Sequence, residues 1–376
     1  MLRAVPVVRD DQLTRVETLH RTLARANAQR LRPRRTAGDF ETELEQETSI
    51  RRLERQFVEE QRACVHAQAN AVPKDPSGFL DWFVGLRESE LGQTDPLFPW
   101  LAEHATQKQM CWFLEQERSN ETTFGDLVAL TQVNMPARPK QELARNYWDE
   151  MVRSHATDTP RSAVQCPKHT PQPESAVWES LALGNLMVAL ATARHYAFQS
   201  LGALGVAELT APRSKQFVQT GLLRLGLSVE TPDYYSSSTR FDALHSAAWQ
   251  REVIEPLIAS DSSLAPLIAE GALMRLHAAA RSFERYRREL WSPPRLVADF
   301  EYADGPARVS APPVAPPTQT HVGSRVGSSA QPGGSSGLRG WSVEAQPFEP
   351  RNVAPNPRHA PAFRTVHWPE VSRRAH

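Results

Sequence analysis

The sequence predicts an all-α protein organised around a helical bundle. Apolar residues recur at helical spacings through much of residues 10–290, and few segments alternate apolar and polar residues as a half-buried strand does. Aromatic and long apolar residues also concentrate between 76 and 290, where most helix start and stop signals fall.

In chain order, residues 1–75 read as a charged helical extension. Leu13, Val16, Leu19 and Leu23, then Leu53 and Phe57, mark two amphipathic helices broken around Arg32-Pro33-Arg34-Arg35. Their charged surfaces predict a solvated appendage, or a hairpin for a protein partner or a second copy of the chain. Residues 76–290 read as the bundle. Trp82-Phe83-Val84, Trp112-Phe113-Leu114, Asn146-Tyr147-Trp148 and the run from Leu181 to Tyr196 fit buried helical faces. Asp95-Pro96 and Phe98-Pro99 mark a turn before a helix, and Pro136, Pro139, Pro160, Pro167, Pro171 and Pro173 punctuate the middle. Residues 291–376 are rich in Pro, Gly and Ser. Stretches such as APPVAPPTQT and GSSAQPGGSSGLRG bury too little apolar surface to offset ordering entropy, so a disordered tail is expected there.

Composition excludes several function classes. Lys+Arg and Asp+Glu both number 43, giving zero formal net charge, which argues against charge-driven binding to nucleic acid or a membrane surface. No P-loop, no GxGxxG and no basic stripe is present. No apolar run approaches the roughly 20 residues of a membrane span, and the N-terminus lacks a signal-peptide h-region. The three cysteines, Cys64, Cys111 and Cys166, form no CxxC pair and suggest a reducing compartment without disulfides. A cytoplasmic location is the expectation.

Acidic groups recur among apolar residues. Glu117 ends Trp112-Phe113-Leu114-Glu115-Gln116-Glu117. Glu142, Asn146 and Glu150 stand four apart and share one helix face. Asp242 and His245 are i and i+3, also on one face, and Glu208 follows the apolar run Leu201 to Ala207. Carboxylates buried on several helices are costly unless paired, hydrogen-bonded or bound to a metal. Such spacings also arise on ordinary charged helices, so the pattern alone leaves surface acids and a core histidine open. His195 is expected in the core or beside the site, while His66, His104 and His277 are expected to be exposed. Tyr234 and Tyr235 are expected to pack, or to line a substrate pocket.

Several phrases occur in one order: Phe113 to Glu117, Glu142 to Met151, Glu179 to Asn185, Leu201 to Arg213, Gly221 to Gly226, Asp242 to Trp249 and Glu270 to Leu276. Together they resemble the iron-containing redox enzyme family, within the heme-oxygenase-like diiron oxidase superfamily, over about residues 100–290. The resemblance implies a heme-oxygenase-like helical bundle holding two iron ions that react with dioxygen and a small organic substrate. It places metal ligands at Glu117, Glu150, Glu208, Asp242 and His245. It also calls for histidines at 160 and 238, where this chain has Pro160 and Ser238. Proline offers no ligand atom and serine is a poor ligand for iron, so iron binding is expected to be weak or substoichiometric, each loss weakening one ion if the two positions serve different irons. The reading is a non-heme diiron oxygenase or oxidase with an impaired site. The alternative is a catalytically silent member serving as a scaffold or small-molecule binding protein.

Overall fold

In the computed structural model, every regular element among the described residues is helical. The structure describes residues 10–33, 39–88, 91, 93–121, 124–156, 173–227 and 245–291. The expected tail, Pro160, Tyr234, Tyr235, Ser238 and Asp242 lie outside them. No helix of the described residues is long and apolar enough to cross a membrane.

Local chemistry sets the helix ends. Helix α1 spans Asp10–Arg30 and α2 spans Phe40–Asn70, whose N-cap Asp39 accepts from the Thr42 amide. Asp75 caps α3 (Pro76–Gly85) from the Gly78 amide at 2.8 Å, with proline in the first turn. Asp95 accepts from the Leu97 amide at the start of α4 (Leu97–Glu103). Thr106 and Gln109 bond reciprocally at the start of α5 (Gln107–Glu121), a capping box. Then follow α6 (Phe124–Thr131), α7 (Ala137–Ala156), α8 (Trp178–Thr192) and α9 (Ala197–Arg224). Helix α9 ends where Gly226 adopts φ 63°, with Leu227 N donating to Leu222 O and Gly226 N to Leu223 O. Residues 245–248 run into a π-helical segment, Trp249–Ile254, then α10 (Glu255–Ser260) and α11 (Leu264–Trp291).

The core is built around α8, which is apolar on nearly all sides and almost wholly buried. Helices α9 and α11 cross at backbone contact. A Cβ on Gly202 would stand 1.8 Å from the Ile268 carbonyl oxygen, and one on Gly271 would stand 1.7 Å from that of Gln199. Only glycine permits that approach.

The N-terminal helices are not an appendage. Leu23, Phe57, Val58, Val65 and Ala69 belong to the main core cluster. Asn27 donates to Asn185 at 2.9 Å, and the Arg62 guanidinium bonds the buried Glu270 carboxylate of α11. Gln199 and His66 also reach that carboxylate. Burial works against its charge, but these donors outweigh burial and hold the Glu270 carboxyl below its ordinary value. Leucines and aromatics one face wide sufficed to bury these helices, while their outer faces kept the charge that suggested solvation.

Three further expectations fail. Cys111 is disulfide-bonded, while Cys64 is a free, exposed thiol. His195 is exposed on the short turn before α9, rather than in the core. His277 is half-buried instead of exposed, and burial pushes its imidazole down from the ordinary value.

Candidate metal centre

Three elements converge on one acidic group. Helix α7 brings Glu150, α9 brings Glu208, and the helical turn at 245–248 brings His245. One ligand atom from each lies within 4.8 Å of the others. Glu208 and His245 are buried, at 4% and 3% exposure, and Glu150 is half-buried. These are three of the five residues singled out by the sequence.

The local sequence explains the placement. Glu208 stands four residues before Pro212, which has no N–H to give to the Glu208 carbonyl, so the helix ladder is interrupted there. One turn earlier on α9, Gly205 faces the Trp249 indole: a Cβ would lie 2.5 Å from its Nε1. His245 and Trp249 are i and i+4, as Gly205 and Glu208 are i and i+3. The missing side chain at 205 therefore lets the two elements approach at the level of the acidic group. The π-helical segment begins immediately beyond, a backbone irregularity that recurs at functional sites.

Helix α7 also contacts both other members. Asn146 is fully buried, and its Nδ2 donates to Glu208 Oε1 at 3.2 Å. Asp149 Oδ2 and His245 Nε2 are 2.9 Å apart. Glu142, one turn before Asn146, accepts from Arg145 at 2.9 Å. Burial pushes the Glu142 carboxyl up, and Arg145 opposes the shift.

Glu117 is not part of the group. Its Oε1 accepts from the phenol of the fully buried Tyr286 at 3.0 Å, and that phenol also shares a 2.6 Å hydrogen bond with Ser180. Burial, and then the Glu117 carboxylate, hold the Tyr286 phenol well above its ordinary value, so it stays neutral. Asp242 is outside the described residues. Sequence reasoning missed Asp149, although it directly precedes Glu150, because adjacent helical residues point about 100° apart.

The residues present fit a metal ion. Two clustered carboxylates repel each other without a cation. Asn146 Oδ1 is a buried acceptor without a hydrogen-bond partner, a place for the proton of an ion's water ligand. Two carboxylates and an imidazole suit a divalent first-row ion and leave positions open for small ligands.

Comparison with curated proteins finds no match. The family model described as iron-containing redox enzyme matches residues 111–280, which span α5 to α11 and contain every member of the acidic group. Over this helical region the chain is similar to the iron-containing redox enzyme family, whose fold is heme-oxygenase-like.

Proposed function

We propose that the chain is an iron-dependent redox enzyme that uses dioxygen on a small organic substrate, with Glu150, Glu208 and His245 holding the iron. The observation that carries this is the convergence of those side chains, from three separate elements, inside the family-matched region. When bound, iron supplies one-electron redox chemistry and a coordination site for dioxygen. The chain's own residues do the rest. Glu150 and Glu208 supply two negative charges against the ion, and His245 supplies a nitrogen. Asn146 keeps one Glu208 oxygen hydrogen-bonded. Glu208 and His245 are buried, which strengthens the charge interactions of those two groups. A second ion would need ligands beyond these three, and Glu117 is held by Tyr286 instead.

A specific observation also supports a silent scaffold. Pro160 and Ser238 stand where the resemblance calls for histidines. One experiment separates the readings. Ferrous iron is titrated anaerobically into the full chain, followed by air exposure. The enzyme reading expects about one tight equivalent per chain and oxygen consumption on exposure. Glu208→Gln and His245→Ala should each remove the tight equivalent, leaving only weak residual binding, and stop the oxygen consumption. No saturable iron binding in the wild type would refute the enzyme reading and leave the scaffold.

A further inference from the structure

We infer that Asn146 and Asp149 are positioning residues of the metal centre: through them, α7 sets Glu208 and His245 while supplying Glu150 itself. The inference rests on the reading of Glu150, Glu208 and His245 as an iron site. One helix then governs all three ligands, two of which belong to other elements.

The geometry of Asn146 is difficult to explain by packing. It is 0% exposed, yet among the described residues its side chain makes one hydrogen bond, from Nδ2 to Glu208 Oε1, and its Oδ1 has none. Burying an amide with an acceptor unmatched is unfavourable, and an aliphatic side chain of similar size would fill the space without that cost. What the amide adds is direction. Its N–H can only donate, so it fixes one Glu208 oxygen and turns the carboxylate's remaining lone pairs elsewhere. The unmatched Oδ1 would accept a proton from water held by the ion.

Asp149 acts on the imidazole. A carboxylate only accepts, so at 2.9 Å the proton sits on His245 Nε2, and Nδ1 keeps the lone pair that a metal requires. A ligating histidine commonly donates its other N–H to a carboxylate in this way, which fixes the ring and raises its basicity. Asp149 follows Asn146 by three residues and precedes Glu150 by one, so any shift of this single turn moves the whole arrangement.

The test is anaerobic calorimetric titration of ferrous iron alone into the full chain, with Asn146→Leu, Asp149→Ala, Glu208→Gln and the double variant Asn146→Leu/Glu208→Gln. Asn146→Leu and Asp149→Ala should each weaken iron binding about 10- to 100-fold. Residual binding to Glu208→Gln should change less than about twofold when Asn146→Leu is added, because Asn146 acts through Glu208. With cobalt(II) as the probe, Asp149→Ala should also shift the visible absorption bands, which report the imidazole donor and which loss of packing would leave in place. The Asp149 side chain is 37% exposed, so its truncation leaves the fold intact. Should circular dichroism show that leucine is not accommodated at 146, Asn146→Ala replaces it. Both single variants binding iron within twofold of wild type, while Glu208→Gln loses it, would overturn the inference and leave the iron reading standing. Wild type without saturable iron binding would overturn both.

Discussion

Acid should destabilise this fold through the buried His20. It lies on α1 with 3% exposure, its ring 4.8 Å edge-on from Phe57 and stacked 5.7 Å from Trp178. Burial first, and then repulsion from Arg281, push its pKa down from 6.5 to about 4. The native state therefore keeps this imidazole neutral where the unfolded chain would protonate it. Stability rises with pH wherever the unfolded state binds more protons. The contribution is thus fully present above pH 6.5, is lost as pH falls from 6.5 toward 4, and is constant below. A shift of that size corresponds to about 3 kcal/mol, or a fall of about 6–12 °C in Tm for a domain of this size. Carboxylates titrate in the same range, so the measurement is a difference. Wild type and His20→Phe are unfolded with urea at intervals from pH 4 to 7.5, followed by fluorescence of Trp178 and its neighbours. His20→Phe should gain about 3 kcal/mol on wild type as pH falls from 7 to 4. A difference that stays flat within about 1 kcal/mol across that range would refute the assignment of a buried neutral histidine.

Three further outcomes are expected. Gly271→Ala must move its new Cβ from 1.7 Å to no less than 3.0 Å from the Gln199 carbonyl oxygen, which separates α9 from α11; a loss of about 2–3 kcal/mol should appear as a lower thermal midpoint, and an unchanged midpoint contradicts the close crossing. Glu270→Gln leaves the Arg62 guanidinium without its buried carboxylate, and because Arg62 is 21% exposed the cost should be about 2–3 kcal/mol rather than that of a fully buried pair, read by urea unfolding at pH 7. In metal-free protein, Glu208→Gln should leave stability unchanged or raise it by up to about 1 kcal/mol, since it removes one of two clustered charges; a large loss by differential scanning calorimetry would show that the Glu208 charge is needed without an ion.

The helical architecture was legible because the 3.6-residue pattern is strong in α7 and α11, and because Asp75, Thr106 and Gly226 carry the chemistry of helix ends. Glu208 stood out as a carboxylate after an apolar run, and Glu150 as one of three residues, with Glu142 and Asn146, on a single face of α7. The placement of α1 and α2 was not legible. Their buried stripes are narrow, and partners such as Asn185 and Glu270 lie far along the chain. Nor does sequence spacing say which neighbour a carboxylate chooses. Glu117 stands three residues after Trp112-Phe113-Leu114 and Glu208 directly follows an apolar run, yet one meets the Tyr286 phenol and the other meets Asn146 and the acidic group.

The attachment of α1 and α2 to the bundle has a consequence during synthesis. Asn27 waits for Asn185, 158 residues later, and Arg62 waits for Glu270, 208 residues later. At ribosomal speeds of about 5–20 residues per second, the second interval lasts roughly 10–40 s. Until α8 and then α11 are made, Leu23, Phe57, Val58 and Val65 lack helices that cover them in the fold. The nascent chain thus presents two amphipathic helices to its surroundings until its last helix is made, and its yield in a cell is set by what shields those faces in the meantime.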